Sequence, residues 1–256
     1  MRVETVPVYG DNYAYLVICE ESGQAAAVDP ADADAVARRA GELEVRIAAI
    51  WCTHHHGDHT GGNQVLARET GCRVFGHGVD SERIPALTDT LEHGATVRLG
   101  GLEARVLHTP GHTRGSICYL VEDCLFTGDT LFACGCGRLF EGDAPTMFGS
   151  LHERIRPLPA STRIHCGHEY TLKNLDFAWT VEPGNPALGR RADAVRELRS
   201  AGRPSVPFTL AEELSTNPFL RCESPEIVAS LGGRHGLTAG DPLSVFTRLR
   251  ELRNSY

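Results

Sequence analysis

Thr53-His54-His55-His56-Gly57-Asp58-His59 is the stretch on which the fold of this chain turns. It directly follows Val45 to Cys52, a nearly all-apolar run of the kind expected of a strand buried on both faces. His54, His56, Asp58 and His59 therefore fall within six residues, just past a strand end. Positions two apart in an extended segment point to the same side, which brings His54 and His56 together. Asp58 and His59 follow where the chain turns toward a helix. One set can hold one ion and the other a second ion nearby. Imidazole with carboxylate suits zinc, and also iron or manganese. The competing reading is an accidental surface run of histidines, but a tag-like run does not sit mid-chain behind a buried strand.

Three further segments complete a pattern. Thr109-Pro110-Gly111-His112-Thr113 follows a predicted strand, Leu102 to Leu107. Phe126-Thr127-Gly128-Asp129-Thr130 ends the strand Cys124 to Thr127, and His165-Cys166-Gly167-His168-Glu169 ends the strand Arg163 to Cys166. Each puts one His or Asp beside a Gly at a strand end. Singly each is weak, because a lone Asp after a strand is most often a turn or cap residue. Four together point to a common site along one edge of a sheet. Asp29, which ends the strand Ala25 to Val28, reads either as a partner for a ligand His or as a plain turn residue. His55 is expected to point away from the ions.

The rest of the chain supplies the frame. Arg2 to Tyr9 and Tyr13 to Cys19 flank the turn Gly10-Asp11-Asn12 as a hairpin. Asp32 to Ala40 reads as a helix stopped by Gly41, and Thr60 to Thr70 as one closed by Gly71. Cys72 to Phe75, Ala95 to Leu99 and Ser116 to Val121 read as further strands, and Arg163 to Cys166 as the last. Beyond Tyr170 only helical periods follow, among them Ala187 to Ser200, Pro225 to Leu231 and Pro242 to Leu252, with the Pro-rich stretch Arg203 to Phe208 as a connector. This order predicts an α/β core over residues 1–169 followed by a helical domain over residues 170–256.

Composition narrows the function. The 256 residues carry a net charge of −8, which argues against a nucleic-acid-binding surface. From Pro186 to Tyr256 there are 10 Arg against 8 acidic residues, while the remainder carries 15 basic and 25 acidic. A mildly basic end beside an acidic body could receive a small anion, although surface charge also drifts without purpose. Nine cysteines, an odd number with no secretory signal in view, argue against a disulfide framework and read as buried small apolar groups. Cys134 and Cys136 form C-x-C without a partner pair. No apolar run reaches the ~18 residues of a membrane span. A cytoplasmic monomer without membrane or nucleic-acid partners is the default expectation.

With its four metal-type segments, the chain resembles the metallo-β-lactamase superfamily, whose signature reads T-H-x-H-x-D-H. Within it the chain looks like glyoxalase II, the hydroxyacylglutathione hydrolases, essentially end to end. Gly135-Cys136-Gly137-Arg138-Leu139-Phe140-Glu141-Gly142, Gly167-His168-Glu169-Tyr170-Thr171, Val181-Glu182-Pro183-Gly184-Asn185 and Thr216-Asn217-Pro218-Phe219-Leu220-Arg221 carry that second resemblance. It implies an αββα sandwich with a C-terminal helical domain that binds glutathione. It implies that His54, His56 and His112 hold one divalent ion, that Asp58, His59 and His168 hold another, and that Asp129 bridges them, so that Asp58 and Asp129 are the carboxylates of the catalytic centre. Zinc is the first choice, with iron and manganese as alternatives. Arg138, Phe140, Tyr170, Arg250 and Arg253 would contact glutathione; without the resemblance, Arg250 and Arg253 read as the solvated face of a terminal helix. The implied reaction is hydrolysis of S-(2-hydroxyacyl)glutathione, S-D-lactoylglutathione giving glutathione and D-lactate, by a hydroxide between two ions. That is the second step of methylglyoxal detoxification. Ser116 departs from the family, which often has His there.

Two competitors rank lower. A glutathione persulfide dioxygenase of the same fold, with a single iron, typically reads C-G-R-T-D-F where this chain has Cys136-Gly137-Arg138-Leu139-Phe140-Glu141, and lacks the helical extension. A non-catalytic relic is at odds with the presence of all seven expected ligands. Among other substrates of this fold, RNA is disfavoured by the negative charge.

Overall fold

The computed structural model describes residues 1–235, 237 and 241–256. Strands β1 (Arg2–Val8) and β2 (Asn12–Cys19) form the expected hairpin, with Val8 opposite Asn12 and both Tyr9 and Gly10 at positive φ in the turn. β2 is buried along its whole length. Tyr13, Tyr15 and Val17 face one apolar core, while Ala14, Leu16 and Ile18 face another. That two-sided burial is what a strand covered by a sheet on one face and helices on the other requires.

β3 (Gln24–Val28) pairs antiparallel with β2, and β4 (Arg46–Trp51), β5 (Arg73–His77) and β6 (Asp89–Leu91) extend the sheet in chain order, each parallel to the one before. Helix α1 (Ala33–Glu42) connects β3 to β4, and α2 (Gly57–Thr60) and α3 (Asn63–Thr70) connect β4 to β5. The second sheet contains β7 (Thr96–Leu99), β8 (Leu102–His108), β9 (Ile117–Val121) and β10 (Cys124–Gly128). A small hairpin follows, β11 (Leu131–Phe132) with β12 (Gly135–Cys136). After helix α4 (Ala144–Gly149), which runs into a π-helical turn at Ser150–Ile155, β13 (Arg163–Cys166) joins the sheet parallel to β10. The two sheets meet face to face: Trp51 of β4 stacks on Tyr119 of β9 with ring centroids 5.3 Å apart. Helices α5 (Thr171–Val181), α6 (Pro186–Ser200), α7 (Leu210–Thr216), α8 (Pro225–His235) and α9 (Pro242–Ser255) complete the chain. The result is the expected αββα sandwich with a helical C-terminal part.

The structure departs from expectation in three places. The helix expected over Thr60 to Thr70 is broken between α2 and α3. At the break Gly62 lies on the backbone of Pro30, donating to its carbonyl at 2.9 Å, and a Cβ there would sit 2.3 Å from that oxygen. α1 runs through Gly41, because Glu44 and not the glycine takes the left-handed conformation that ends the turn. Arg163 to Cys166 is not the last strand: β14 (Phe208–Thr209), at the end of the Pro-rich connector, pairs antiparallel with Arg163 and Ile164 of β13. All nine cysteines are buried and free, as the composition suggested. Among the described residues, no helix is long and apolar enough to cross a membrane.

Candidate functional site

The four segments read from the sequence converge at one end of the two sheets. β4 leads to His54, the loop after β8 to His112, β10 to Asp129 and β13 to His168. Two glycines allow the approach. Gly128 has φ +46, and a Cβ there would lie 2.1 Å from Thr53 Oγ1. A Cβ on Gly167 would lie 2.4 Å from Asp129 Oδ1.

Two groups of donors result. His56 Nδ1 is 3.0 Å from His54 Nε2 and 3.1 Å from His112 Nε2. His59 Nε2 is 3.3 Å from His168 Nε2, and Asp58 Oδ2 lies 3.6 Å from His168 Nε2. Asp129 stands between the groups. Its Oδ1 is 3.3 Å from His59 Nε2, and its Oδ2 is 3.4 Å from both His112 Nε2 and His168 Nε2. Each triad, His54-His56-His112 and Asp58-His59-His168, places its ligand atoms within 4.8 Å of one another.

The outward-facing ring nitrogens set the inward ones. His112 Nδ1 donates to the Arg138 carbonyl at 2.8 Å, which leaves Nε2 a lone pair. Thr53 Oγ1 donates to Asp29 Oδ2 and so accepts from His54 Nδ1, leaving His54 Nε2 a lone pair as well. His56 Nδ1 can donate to only one of these two. The triad is therefore short of protons and matched to a cation. Burial pushes His54, His56 and His112 down, His56 to about 4, so all three are neutral imidazoles, the form that binds metal. On the other side, burial opposes charge on His59, but the Asp129 and Asp29 carboxylates outweigh it and raise the imidazole. There a metal ion competes with protons. Asp129 Oδ1 is buried and, although 3.3 Å from His59 Nε2, makes no well-aligned hydrogen bond, which leaves it able to meet a cation. The residues present thus fit divalent metal.

A cavity of about 760 Å³ opens over this centre. His56, Asp58, His112, Asp129 and His168 line it. Tyr170 stacks on the His168 ring at 4.7 Å, and Phe140, 63% exposed, turns its edge to His56 and His112. Arg138, Lys173, Arg250 and Arg253 also line the cavity. Arg250 is only 4% exposed, with Nη1 donating to the Cys136 carbonyl at 2.7 Å and the guanidinium over the Phe219 ring. The solvated-helix reading of Arg250 is thereby excluded. Arg253 donates to Asn174 Oδ1, and burial together with the charges of Arg250 and Arg138 lowers its pKa. Among the described residues, none of these four cations forms an ion pair with a carboxylate.

Comparison with known proteins agrees with this geometry. The metallo-β-lactamase superfamily model matches residues 9–168, and the model for the hydroxyacylglutathione hydrolase C-terminus matches residues 169–256. A hydroxyacylglutathione hydrolase of Synechococcus sp. is 48% identical over 259 residues, covering 100% of both chains. The chain belongs to the hydroxyacylglutathione hydrolase family of the metallo-β-lactamase superfamily. Of solved structures, ETHE1 from Myxococcus xanthus superposes with a TM-score of 0.69 at 27% identity, over 100% of this chain and 99% of that one. TTHA1623 in a di-iron-bound form superposes with a TM-score of 0.61 at 26% identity, over 86% of this chain and 100% of that one. Membership of a hydrolase family sets the persulfide dioxygenase and the relic scaffold aside.

Within this hydrolase framework the remaining expectations can be placed. His55 turns away from the centre, its Nδ1 3.2 Å from Asp80 Oδ2. Asp29 is no mere turn residue, since it faces His59 Nδ1 at 3.0 Å. Ser116 Oγ accepts from the Thr113 amide at 3.2 Å and bonds Thr113 Oγ1 at 2.8 Å, bracing the His112 loop. His165 is buried away from the site with both ring nitrogens unpartnered. Sequence reasoning missed Asn12, whose side chain donates to the Asp58 carbonyl at 2.9 Å and to Asp58 Oδ2 at 3.3 Å. It also missed Lys173. The only signal for Asn12 was its place in a turn, and Lys173 had none.

Proposed function

We propose that this chain hydrolyses the thioester of S-(2-hydroxyacyl)glutathione, with S-D-lactoylglutathione giving glutathione and D-lactate. The observation that carries this reading is a single cavity lined by two unlike sets of residues. Asp129 spans two triads of metal-type ligands, and in the same cavity Arg138, Lys173, Arg250 and Arg253 gather without carboxylate partners among the described residues. Cations held together in this way are matched to an anionic ligand, and guanidinium groups pair bidentately with carboxylates such as the two of glutathione.

We assign one divalent ion to His54, His56 and His112 and a second to Asp58, His59 and His168, with Asp129 between them. When bound, such ions supply a nucleophile by lowering the pKa of water from ~15.7 to about 7, and polarise the thioester carbonyl. Zinc suits these ligands, as do iron and manganese; the di-iron form of TTHA1623 supports a two-ion centre in this fold. Asp29 and the Arg138 carbonyl orient His59 and His112. Tyr170 and Phe140 flank the ligand histidines, and the arginines hold the peptide so that its thioester lies over Asp129. A thiol leaves with a pKa of about 8.5, so no residue is needed to protonate it fully.

We divide the chain into a catalytic domain, residues 1–169, and a helical glutathione-binding domain, residues 170–256, because α5 supplies Lys173 and α9 supplies Arg250 and Arg253. We place the protein in the cytoplasm, where nine free buried cysteines suit a reducing environment. We propose a monomer, since this chain's own residues supply both the ligand triads and the cations of the cavity. The test is metal analysis alongside hydrolysis of S-D-lactoylglutathione, followed at the thioester absorbance. Two ions per chain and turnover are expected. A fully loaded protein that leaves the thioester intact, or consumes oxygen without hydrolysing it, refutes the reading.

A further inference from the structure

Arg83 lies outside every motif that marks the site, just past the short 3₁₀ turn Gly78–Asp80 that follows β5. Its guanidinium nevertheless joins three groups. It makes close contacts with the carboxylates of Asp80 and Glu141, and Nη1 is 3.2 Å from His55 Nε2. Asp80 is fully buried beneath it, with Oδ2 3.2 Å from His55 Nδ1. The His112 loop rests directly on Asp80: a Cβ at Gly115 would lie 2.3 Å from Asp80 Oδ2. Glu141 accepts from the Arg114 amide of that same loop at 2.9 Å. The hydrogen bond from Arg83 holds the Glu141 carboxyl down to about 2, so it is ionised throughout the neutral range.

Glu141 lies within the stretch 138–142, whose Arg138 and Phe140 line the cavity. The Phe140 and Glu141 amides donate to the His112 carbonyl at 3.2 and 3.3 Å, and Gly142 donates to the Gly111 carbonyl. In return His112 Nδ1 donates to the Arg138 carbonyl. One ionic network thus ties together the loop that carries His54 and His56, the loop that carries His112, and the loop that would touch substrate. It does so without approaching the inward-facing ligand nitrogens.

We infer that Arg83, supported by Asp80, is a positioning residue that fixes the Arg138–Gly142 loop against the two histidine loops and thereby sets the affinity for the thioester. The inference rests on the proposed hydrolase reading, because Arg138 and Phe140 are substrate contacts only under it. Without Arg83, the Asp80 and Glu141 carboxylates face His55 with no cation between them. The loop then loses its anchor, and binding must reorder it each time.

The test compares wild type with Arg83→Met, Glu141→Gln and Arg83→Lys. Kinetics on S-D-lactoylglutathione, metal content and amide hydrogen exchange at Phe140 and Glu141 are measured for each. Arg83→Met and Glu141→Gln are expected to raise KM about tenfold, the effect of losing ~1.4 kcal/mol of binding. Their kcat should stay within about twofold of wild type, metal content should be unchanged, and exchange at the two amides should accelerate. Arg83→Lys, which keeps the charge, should recover part of the affinity. Unchanged KM with wild-type exchange overturns the inference. So does a loss of kcat that tracks metal loss, which would make the network a prop for the metal centre. If Arg83→Met does not fold, Glu141→Gln decides, since it keeps the side-chain shape and the acceptor for Arg114. If wild type itself hydrolyses no thioester, the hydrolase reading fails, while the exchange at Phe140 and Glu141 still reports on the anchor.

Discussion

Asp29 Oδ2 lies 3.0 Å from His59 Nδ1 and also accepts the hydroxyl of Thr53, which in turn meets His54 Nδ1. One buried carboxylate therefore orients an imidazole in each of the two triads. Such partners fix the tautomer and raise the basicity of a ligand, and removing them typically costs about 10- to 100-fold in metal affinity. Asp29→Asn is the informative change, because Asn tolerates the left-handed backbone that Asp29 adopts at φ 47. We expect it to lose metal to a chelator at concentrations about tenfold below those needed for wild type. Equal retention by the two proteins would show that the Asp29 contacts do not tune metal affinity.

The arginine pair near the C-terminus divides into two roles. Arg253 is half-buried and, among the described residues, bonds Asn174 and packs on neighbouring rings, so Arg253→Ala should raise KM about tenfold with little change in melting temperature. Arg250 also braces the Cys136 and Gly137 carbonyls behind the Arg138 loop. Arg250→Ala should therefore raise KM and lower the melting temperature together. His56→Ala should abolish turnover with metal loss from its triad. Steady-state kinetics paired with thermal melts separate the three, and matching effects on kcat and KM in all of them would count against the assigned roles.

The four segments that converge on the candidate centre were legible in the sequence because each follows an apolar strand and carries a glycine, and some of these glycines permit close approach, as Gly167 does for Asp129. What stayed illegible depends on tertiary approach. The break at Gly61-Gly62 exists because the Pro30 backbone lies against it, and nothing in the helical period of Thr60 to Thr70 reports that neighbour. The two-residue strands β11, β12 and β14 are too short to show a period of two. Lys173 and Asn174 reach the cavity from a helix whose spacing looks like any packed helix, and Arg83 reaches the site through Glu141, 58 residues away in sequence.

His165 predicts an acid weakness separate from catalysis. Its ring packs against Phe126 and Tyr15 with both nitrogens unpartnered, and burial pushes it down to about 3. The unfolded chain binds a proton at this position near pH 6.5 and the folded chain does not, so the neutral ring's contribution is intact above that pH. It is lost as pH falls from ~6.5 toward 3, at up to ~1.4 kcal/mol per pH unit. His165→Phe keeps the ring shape and removes both orphaned nitrogens. Chelator-treated His165→Phe should match or exceed wild-type stability at pH 7 and gain on it progressively down to pH 4 in denaturant titrations. A constant difference between the two across that range would contradict the assignment.

Asn12 controls the one proposed ligand that solvent reaches freely. The Asp58 side chain is half exposed, whereas His59 and His168 are buried, so Asp58 has more freedom than its partners to turn away. Asn12 restrains it twice, through the Asp58 carbonyl and through Oδ2, and the backbone bridge between Asn12 and His168 holds the whole turn at the site. Asn12→Ala removes both side-chain bonds and leaves the hairpin register intact, since the β1–β2 pairing runs through main-chain groups. The second triad should weaken selectively: equilibrium dialysis should show one ion retained and the other lost on dilution, with turnover falling in step and the melting temperature of the chelated protein unchanged. Parallel loss of both ions, or full retention of both, would mean that Asp58 needs no help from the hairpin turn.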